Sequence, residues 1–479
     1  MTNKISPAQS IFLQQQIKAS QRKQSKGNRW HPVLIRLALS LHVTSPTAYE
    51  LLRDSGMVKL PSSRTLFDYE KVKPAKEGID DVAMDSAARR VKLLKHEWQK
   101  YYVLMGDEMS ISQNVVFQKS TGAMIGFTSL DKVDQEVLNL EAYLNDVEAD
   151  REPVIAKKVM VYMIKGVSSG IKEIVATFAC ASITANQMYF WTWRVVGSLE
   201  RRGIAVVAFV SDGCSVNRAF IRKHKPVTVL ESGVIFDTVN KSAPSRVLYF
   251  VSDVPHLLKT IRNCLYSSRG KKKSSRRMIR KGKKITWDYI IKLYESYKMR
   301  NLRKSFKLSP MNVYPDSYAR MKVKYAAQVL SRTVAQDLED QEWEEASELI
   351  YFLRYVNDWF DCLNGAHTSI AKKKRNDRLK AYTSVDDSRF DFILSFVTYL
   401  QEWEEEAKNA PAVDVSALNV SNVPDDPEGI NQSMEVEQAR EDDQEDLPPA
   451  SKRILSRQTL EGIEMSTRAF IPMVRFLLR

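Results

Sequence analysis

Two aspartates, each closing an apolar run, are the residues of this 479-residue chain with the type and setting to do chemistry. Residues 101–106 run into Asp107, and residues 204–211 run into Asp212. Runs of this composition form buried strands. A carboxylate cannot stay ionised inside one, so an Asp just past the last apolar residue stands at the lip of a sheet. Two such lips side by side would hold carboxylates about 4 Å apart, repelling by on the order of 4 kcal/mol at an effective dielectric of about 20. A divalent cation removes that repulsion, and oxygen ligands favour Mg²⁺ or Mn²⁺ over zinc. Either Asp alone would serve equally well to end a strand or cap a helix.

The elements around the two runs must bring those lips together. Residues 114–119 and 124–127 flank Ser120-Thr-Gly, a hairpin signal, and residues 159–164 and 174–179 read as strands. Residues 184–199 read as a helix capped by Thr184, with Met188, Trp191 and Val195 on one face. After Asp212 a turn of small residues leads into a helix ending near His224, and residues 247–251 form a further strand that ends at Asp253. Lys259 and Arg262 follow on a helix, one turn apart. Further helices are predicted over 285–309, 320–337, 343–364, 384–406 and from 453 onward. The third of these turns Leu349, Phe352, Leu353, Val356 and Trp359 inward and ends at Asp361 and Asn364.

Upstream, residues 1–28 are polar, basic and without an acid, which predicts a basic linker or frayed helix. Residues 29–72 read as three short helices. Pro32 sits in the first turn of one, with an apolar stripe of Leu34, Leu37, Ala38 and Leu41, and Ser45-Pro46 opens the next. In the third, Arg64, Thr65 and Lys71 would face a DNA groove while Leu66 and Tyr69 pack inward; an ordinary three-helix packing module fits the same pattern. Asp85 or Ser86 would cap a helix through Val91, Leu94 and Trp98. Residues 259–284 hold no acid, and Lys271, Lys272, Lys273, Arg276 and Arg277 crowd their middle. That run suits a polyanion contact, a nuclear-localisation signal or a solvated face. Residues 131–153 are an acidic connecting segment, and residues 410–449 carry too few bulky apolar groups to order themselves.

The formal charge of +14 points to a polyanionic partner. Four cysteines without C-x-x-C spacing argue against a zinc site or a disulfide framework. No apolar run reaches membrane-spanning length, so no membrane is expected.

Four segments in this order, 106–112, 117–127, 211–217 and 253–263, resemble the P-element transposases and their THAP-domain relatives, and the resemblance covers most of the chain from about residue 29. It implies an α/β fold: an RNase H-like mixed sheet (87–268) interrupted by an all-helical insertion (269–406) and preceded by a small helix-turn-helix module. An acidic linker (407–450) and a last helix (451–479) beginning the return to the core would follow. By the resemblance, Asp107 and Asp212 are catalytic metal ligands for Mg²⁺-dependent DNA cleavage and strand transfer. Asp253, Lys259, Asp361 and Asn364 match guanine-nucleotide residues, with GTP as a positioning cofactor, since no P-loop motif is present. The partners implied are DNA, a guanine nucleotide and, left open, a second copy of the chain; the location implied is the nucleus. Two-metal chemistry also needs a third acid, which the family carries in a Gln-Asp-x-Leu-Glu-like segment. No such segment occurs before Arg479, where Glu461 and Glu464 are the substitutes on offer, so a core truncated at both ends is expected. A catalytically inactive DNA-binding or regulatory protein and a nucleotide-binding scaffold are the alternative readings.

Overall fold

The computed structural model describes residues 6–21, 29–70, 77–111, 116–118, 123–125, 155–269, 276–297, 303–365, 371, 373, 375–409 and 452–479. Contacts divide the chain into two compact units, Met1–Lys76 and Glu77–Arg479.

The first unit holds the helices Pro7–Ser20, Pro32–Thr44, Pro46–Asp54 and Ser63–Glu70. Of the linker and the helix expected over residues 1–28, Pro7–Ser20 takes the helix. Ser6 and Gln9 close a capping box at its start, and the Gln16 side chain exchanges hydrogen bonds with the Lys59 backbone at 3.0 and 2.7 Å. Pro32 and Pro46 sit in first turns, and Ser45 accepts from the Ala48 N–H. The buried stripe runs through Leu34, Ile35 and Ala38, toward Tyr49 and Leu66, while Leu37 and Leu41 are exposed. Turning the helix by one position puts Ile35 rather than Leu37 beside the neighbouring helices.

The second unit is built on a seven-stranded sheet: β1 (Gly78–Ile79), β2 (Tyr101–Ser110), β3 (Lys158–Gly166), β4 (Lys172–Cys180), β5 (Ala205–Ser211), β6 (Asp237–Val239) and β7 (Val247–Ser252). Their order across the sheet is β1-β4-β3-β2-β5-β7-β6. β2, β3 and β4 pair antiparallel, whereas β2, β5 and β7 run parallel. A separate hairpin pairs Val116–Gln118 with Ala123–Ile125; its turn residues lie outside the described residues, as do the acidic segment and the segment expected to be disordered. The helix Ala185–Glu200 is entered through a Thr184–Gln187 capping box and buries Met188, Trp191 and Val195, with Trp191 stacked on Phe178 at 4.6 Å. The helix ahead of the sheet begins at Asp81, earlier than expected, because Asp80 accepts from the Ala83 N–H while Asp85 is taken by Arg202 at 2.7 Å. Trp98 falls in the short turn Glu97–Lys100 instead of on that helix.

The helices that follow share a second core that includes Leu257, Trp287, Leu349, Phe352, Trp359 and Trp403. The two single helices expected over 285–309 and 320–337 are broken into Asp288–Ser296, Pro310–Val313, Ser317–Met321, Val323–Val329 and Arg332–Glu339. Caps restart the chain: Asp316 accepts from the Ala319 N–H and Ser331 from the Val334 N–H, and Pro310 opens a turn behind Ser309. Ser347–Leu363 and Arg389–Asn409 complete the insertion, and Arg457–Leu478 returns to the sheet. There Ser466 Oγ donates to the Ser252 carbonyl and accepts its N–H, both at 3.0 Å, and a Cβ on Gly462 would lie 2.6 Å from a Leu257 methyl. No helix among the described residues is long and apolar enough to cross a membrane.

His224 is packed among Tyr189, Phe220 and Phe250, and its Nε2 accepts from the Trp193 indole N–H at 3.0 Å. An indole only donates, so the ring is the neutral Nδ1–H tautomer, facing the Phe220 carbonyl at 3.1 Å. Burial lowers its pKa from 6.5 to about 4. Between those values the unfolded chain takes up a proton that the folded chain refuses, so stability falls as pH drops through that window, by about 3 kcal/mol at its lower end. His224→Gln is expected to flatten this part of the pH dependence, measured as urea midpoints from pH 7 down to about 4.

Candidate functional site

Register, rather than proximity in sequence, sets the two aspartates side by side. β2 and β5 are parallel with Met105 opposite Val210, so Asp107 and Asp212, each two residues further on, stand level across adjacent strands and on the same face. Asp212 falls just past the end of β5 as expected, whereas β2 continues three residues beyond Asp107, held by its pairing with β3 through Ser110. Both line one cleft of about 270 Å³, together with Glu108, Lys158, Cys214 and Asn217. Gly106 permits the packing underneath, since a Cβ there would lie 2.7 Å from Met160 Cε and 2.9 Å from Phe209 Cζ. Asp212 Oδ1 accepts from the Cys214 N–H at 3.0 Å and from Asn217 Nδ2 at 2.5 Å, which fixes the carboxylate at the start of the helix Ser215–Ile221.

Partial burial pushes the Asp107 carboxyl above its usual range, against the pull of the Glu108 N–H; Asp212 and Asp253 add repulsion and His256 offsets it. Asp253 belongs to the same row. Ser211 pairs with Ser252, which brings Asp253 level with Asp212, and the Asp253 N–H donates to the Ser211 carbonyl at 2.9 Å. Its side chain caps the helix Val254–Tyr266 through the His256 N–H at 3.2 Å. Among the described residues no group of three or more His, Cys, Asp or Glu is arranged to hold a metal ion.

The other predicted residues are distributed more widely. Lys259 lies part-buried on the helix capped by Asp253, and Arg262 on that helix is fully buried, donating to the Arg320 carbonyl at 2.7 Å. Asp361 accepts from Asn357 and Asn376 side chains at 3.1 and 2.7 Å, and Asn364 is the exposed C-cap of the helix Ser347–Leu363. In the first unit Arg64 is exposed, and the Thr65 hydroxyl is 2.9 Å from that of Ser62 at the helix start. Arg276 donates to the Ile454 carbonyl at 2.6 Å and the Arg277 N–H to the Lys452 carbonyl at 3.1 Å, so both fold back onto the chain. Lys71, Lys271, Lys272 and Lys273 lie outside the described residues. Glu461 is held by Arg222 and Arg457 at 3.2 and 2.9 Å, and Glu464 by Ser232 and Arg468, both at 3.0 Å; neither joins the acidic cleft.

Residues 75–225 match the family model described as the TNP-like RNase H N-terminal domain, and residues 255–376 match the TNP-like GTP-binding insertion domain. The transposable element P transposase of Drosophila melanogaster is 26% identical over 340 residues, 69% of this chain and 38% of that protein. This chain belongs to the P-element-type transposase family. It thus spans well under half the length of that curated relative. The fold is likewise that of the family, an RNase H-like α/β sheet with a helical insertion. A solved structure, the Drosophila P element transposase strand transfer complex, superposes with a TM-score of 0.62 at 20% identity, covering 98% of this chain and 85% of that one.

Proposed function

We propose that this P-element-type chain is a DNA-processing core in which Asp107 and Asp212 hold one divalent cation, Mg²⁺ or Mn²⁺. The observation that carries the reading is the level placement of the two carboxylates across adjacent parallel strands, lining one cleft. The donor set fits a hard ion completed by water: both protein ligands are oxygens, and the neighbouring Cys214 thiol is kept protonated by burial and by Asp212. When bound, such an ion neutralises the phosphate charge and lowers the pKa of an attacking water or hydroxyl. The chain's own contribution is orientation, with Asn217 and the Cys214 N–H fixing Asp212, and Lys158 pairing Glu108 at 2.6 Å beside the cleft.

Asp253, Lys259, Asp361 and Asn364 are proposed as the guanine-nucleotide residues, a reading supported by the match of 255–376 to a GTP-binding insertion domain. DNA as partner is supported by the relatives, and a nuclear location is proposed alongside it. Mg²⁺-dependent nicking of terminal-repeat DNA by the purified chain tests the proposal. DNA binding without any cleavage would instead favour a non-cleaving DNA-binding protein.

A further inference from the structure

A second cavity, of about 340 Å³, lies along a helix that also borders the acidic cleft. The helix Ser215–Ile221 borders both, with Asn217 lining the cleft and Arg218 and Ile221 lining the cavity. The charged lining is three guanidiniums, Arg218, Arg222 and Arg457, to one carboxylate, Glu461. Glu461 sits 4.0, 3.2 and 2.9 Å from them in that order, and its side chain is 18% exposed against 61% for Arg222 and 87% for Arg457. Among the lining residues, one largely buried acid thus gathers three arginines, an excess of two positive charges. Ile221, Val234, Ile235 and Met465 form the apolar wall of the cavity.

The cavity is far larger than a phosphate group needs and falls in the range of small-ligand sites, roughly 300–1,000 Å³. Guanidiniums grip phosphate oxygens in pairs, and a base stacks on apolar or guanidinium faces whatever its identity. A cation-rich cavity with an apolar wall therefore has the chemistry of a nucleotide site. The link to the cleft is direct: Arg218 Nη1, at 2.8 Å, and Gln458 Nε2 both donate to the carbonyl of Gly213, the residue after Asp212. We propose that this cavity takes one nucleotide of the DNA strand that passes through the acidic cleft, phosphate on Arg222 and Arg457 and base against the apolar wall. The proposal rests on the DNA-processing reading.

The test is fluorescence anisotropy of a short labelled single strand with the full chain at low salt. The paired change Arg222→Ala with Arg457→Ala is expected to weaken binding by about tenfold or more. Lys92→Ala with Lys95→Ala removes two exposed cations elsewhere and is expected to change affinity by no more than about twofold. Equal effects of the two pairs, or no effect of the arginine pair, would overturn the proposal. So would loss of labelled GTP binding in the arginine pair with strand affinity unchanged, since the occupant would then be a free nucleotide. On unmodified protein, photo-crosslinking of a strand containing 4-thiothymidine is expected to mark peptides bearing Val234 or Met465, and crosslinks confined to other peptides would overturn it independently. Failure of the unmodified chain to bind any strand would bring down the DNA reading, and this proposal with it.

Discussion

Asp212→Asn is expected to lower Mg²⁺-dependent strand cleavage by on the order of 10³-fold while leaving the fold intact. The loss follows from removing a charged ligand whose cation supplies several kcal/mol of transition-state stabilisation, each 1.36 kcal/mol being about tenfold in rate. The fold is spared because asparagine keeps an oxygen where Asp212 Oδ1 accepts from the Cys214 N–H and Asn217 Nδ2. The variant also relieves the repulsion that Asp107 feels from Asp212, so it should melt no lower than the parent in the absence of metal. Nicking assays with and without Mg²⁺, run beside thermal melts, check both halves. Cleavage that survives the change would remove Asp212 from the mechanism.

Trp359→Ala is expected to cost about 3–5 kcal/mol of stability, the range for a large aromatic lost from a packed core. Trp359 is fully buried on the helix Ser347–Leu363, lies 5.4 Å from the Phe396 ring of the helix Arg389–Asn409, and donates its indole N–H to Thr467 on the last helix at 2.9 Å. Three elements meet on this one ring. Its loss leaves a cavity and a Thr467 hydroxyl without its indole partner. The last helix also carries Gln458, which holds the Gly213 carbonyl, so loosening it should reach the acidic cleft as well. Urea denaturation gives the first effect. A fall in cleavage measured well below the unfolding midpoint gives the second, and Trp359→Phe should recover part of the stability.

The acidic cleft was half legible in the sequence. An Asp closing an apolar run singled out Asp107 and Asp212 locally; the pattern placed Asp212 correctly just past its strand, but β2 runs on three residues beyond Asp107. That Asp253 stands level with Asp212 is a matter of register between β5 and β7, which no local pattern encodes. Helices were legible where the apolar period and the cap agree, as at Thr184 and Met188. They were misread where a good cap interrupts the period, as at Asp316 and Ser331, and where two caps compete, as Asp80 did with Asp85. Charge density left the run through Arg276 and Arg277 open between a polyanion contact, a localisation signal and a solvated face, and gave no sign that both are tied to Lys452–Ile454, far along the chain. The arginine-lined cavity has no sequence signal for the same reason: Ser232–Ile235 and Arg457–Glu461 meet only in the fold.

The central claim is that Asp107 and Asp212 converge on one cation, and Mn²⁺ titration followed by electron paramagnetic resonance addresses it without requiring any DNA substrate. A single bound Mn²⁺ is predicted in the parent chain, displaced by Mg²⁺ and lost alike in Asp107→Asn and in Asp212→Asn. Undiminished Mn²⁺ affinity in both variants would contradict the account.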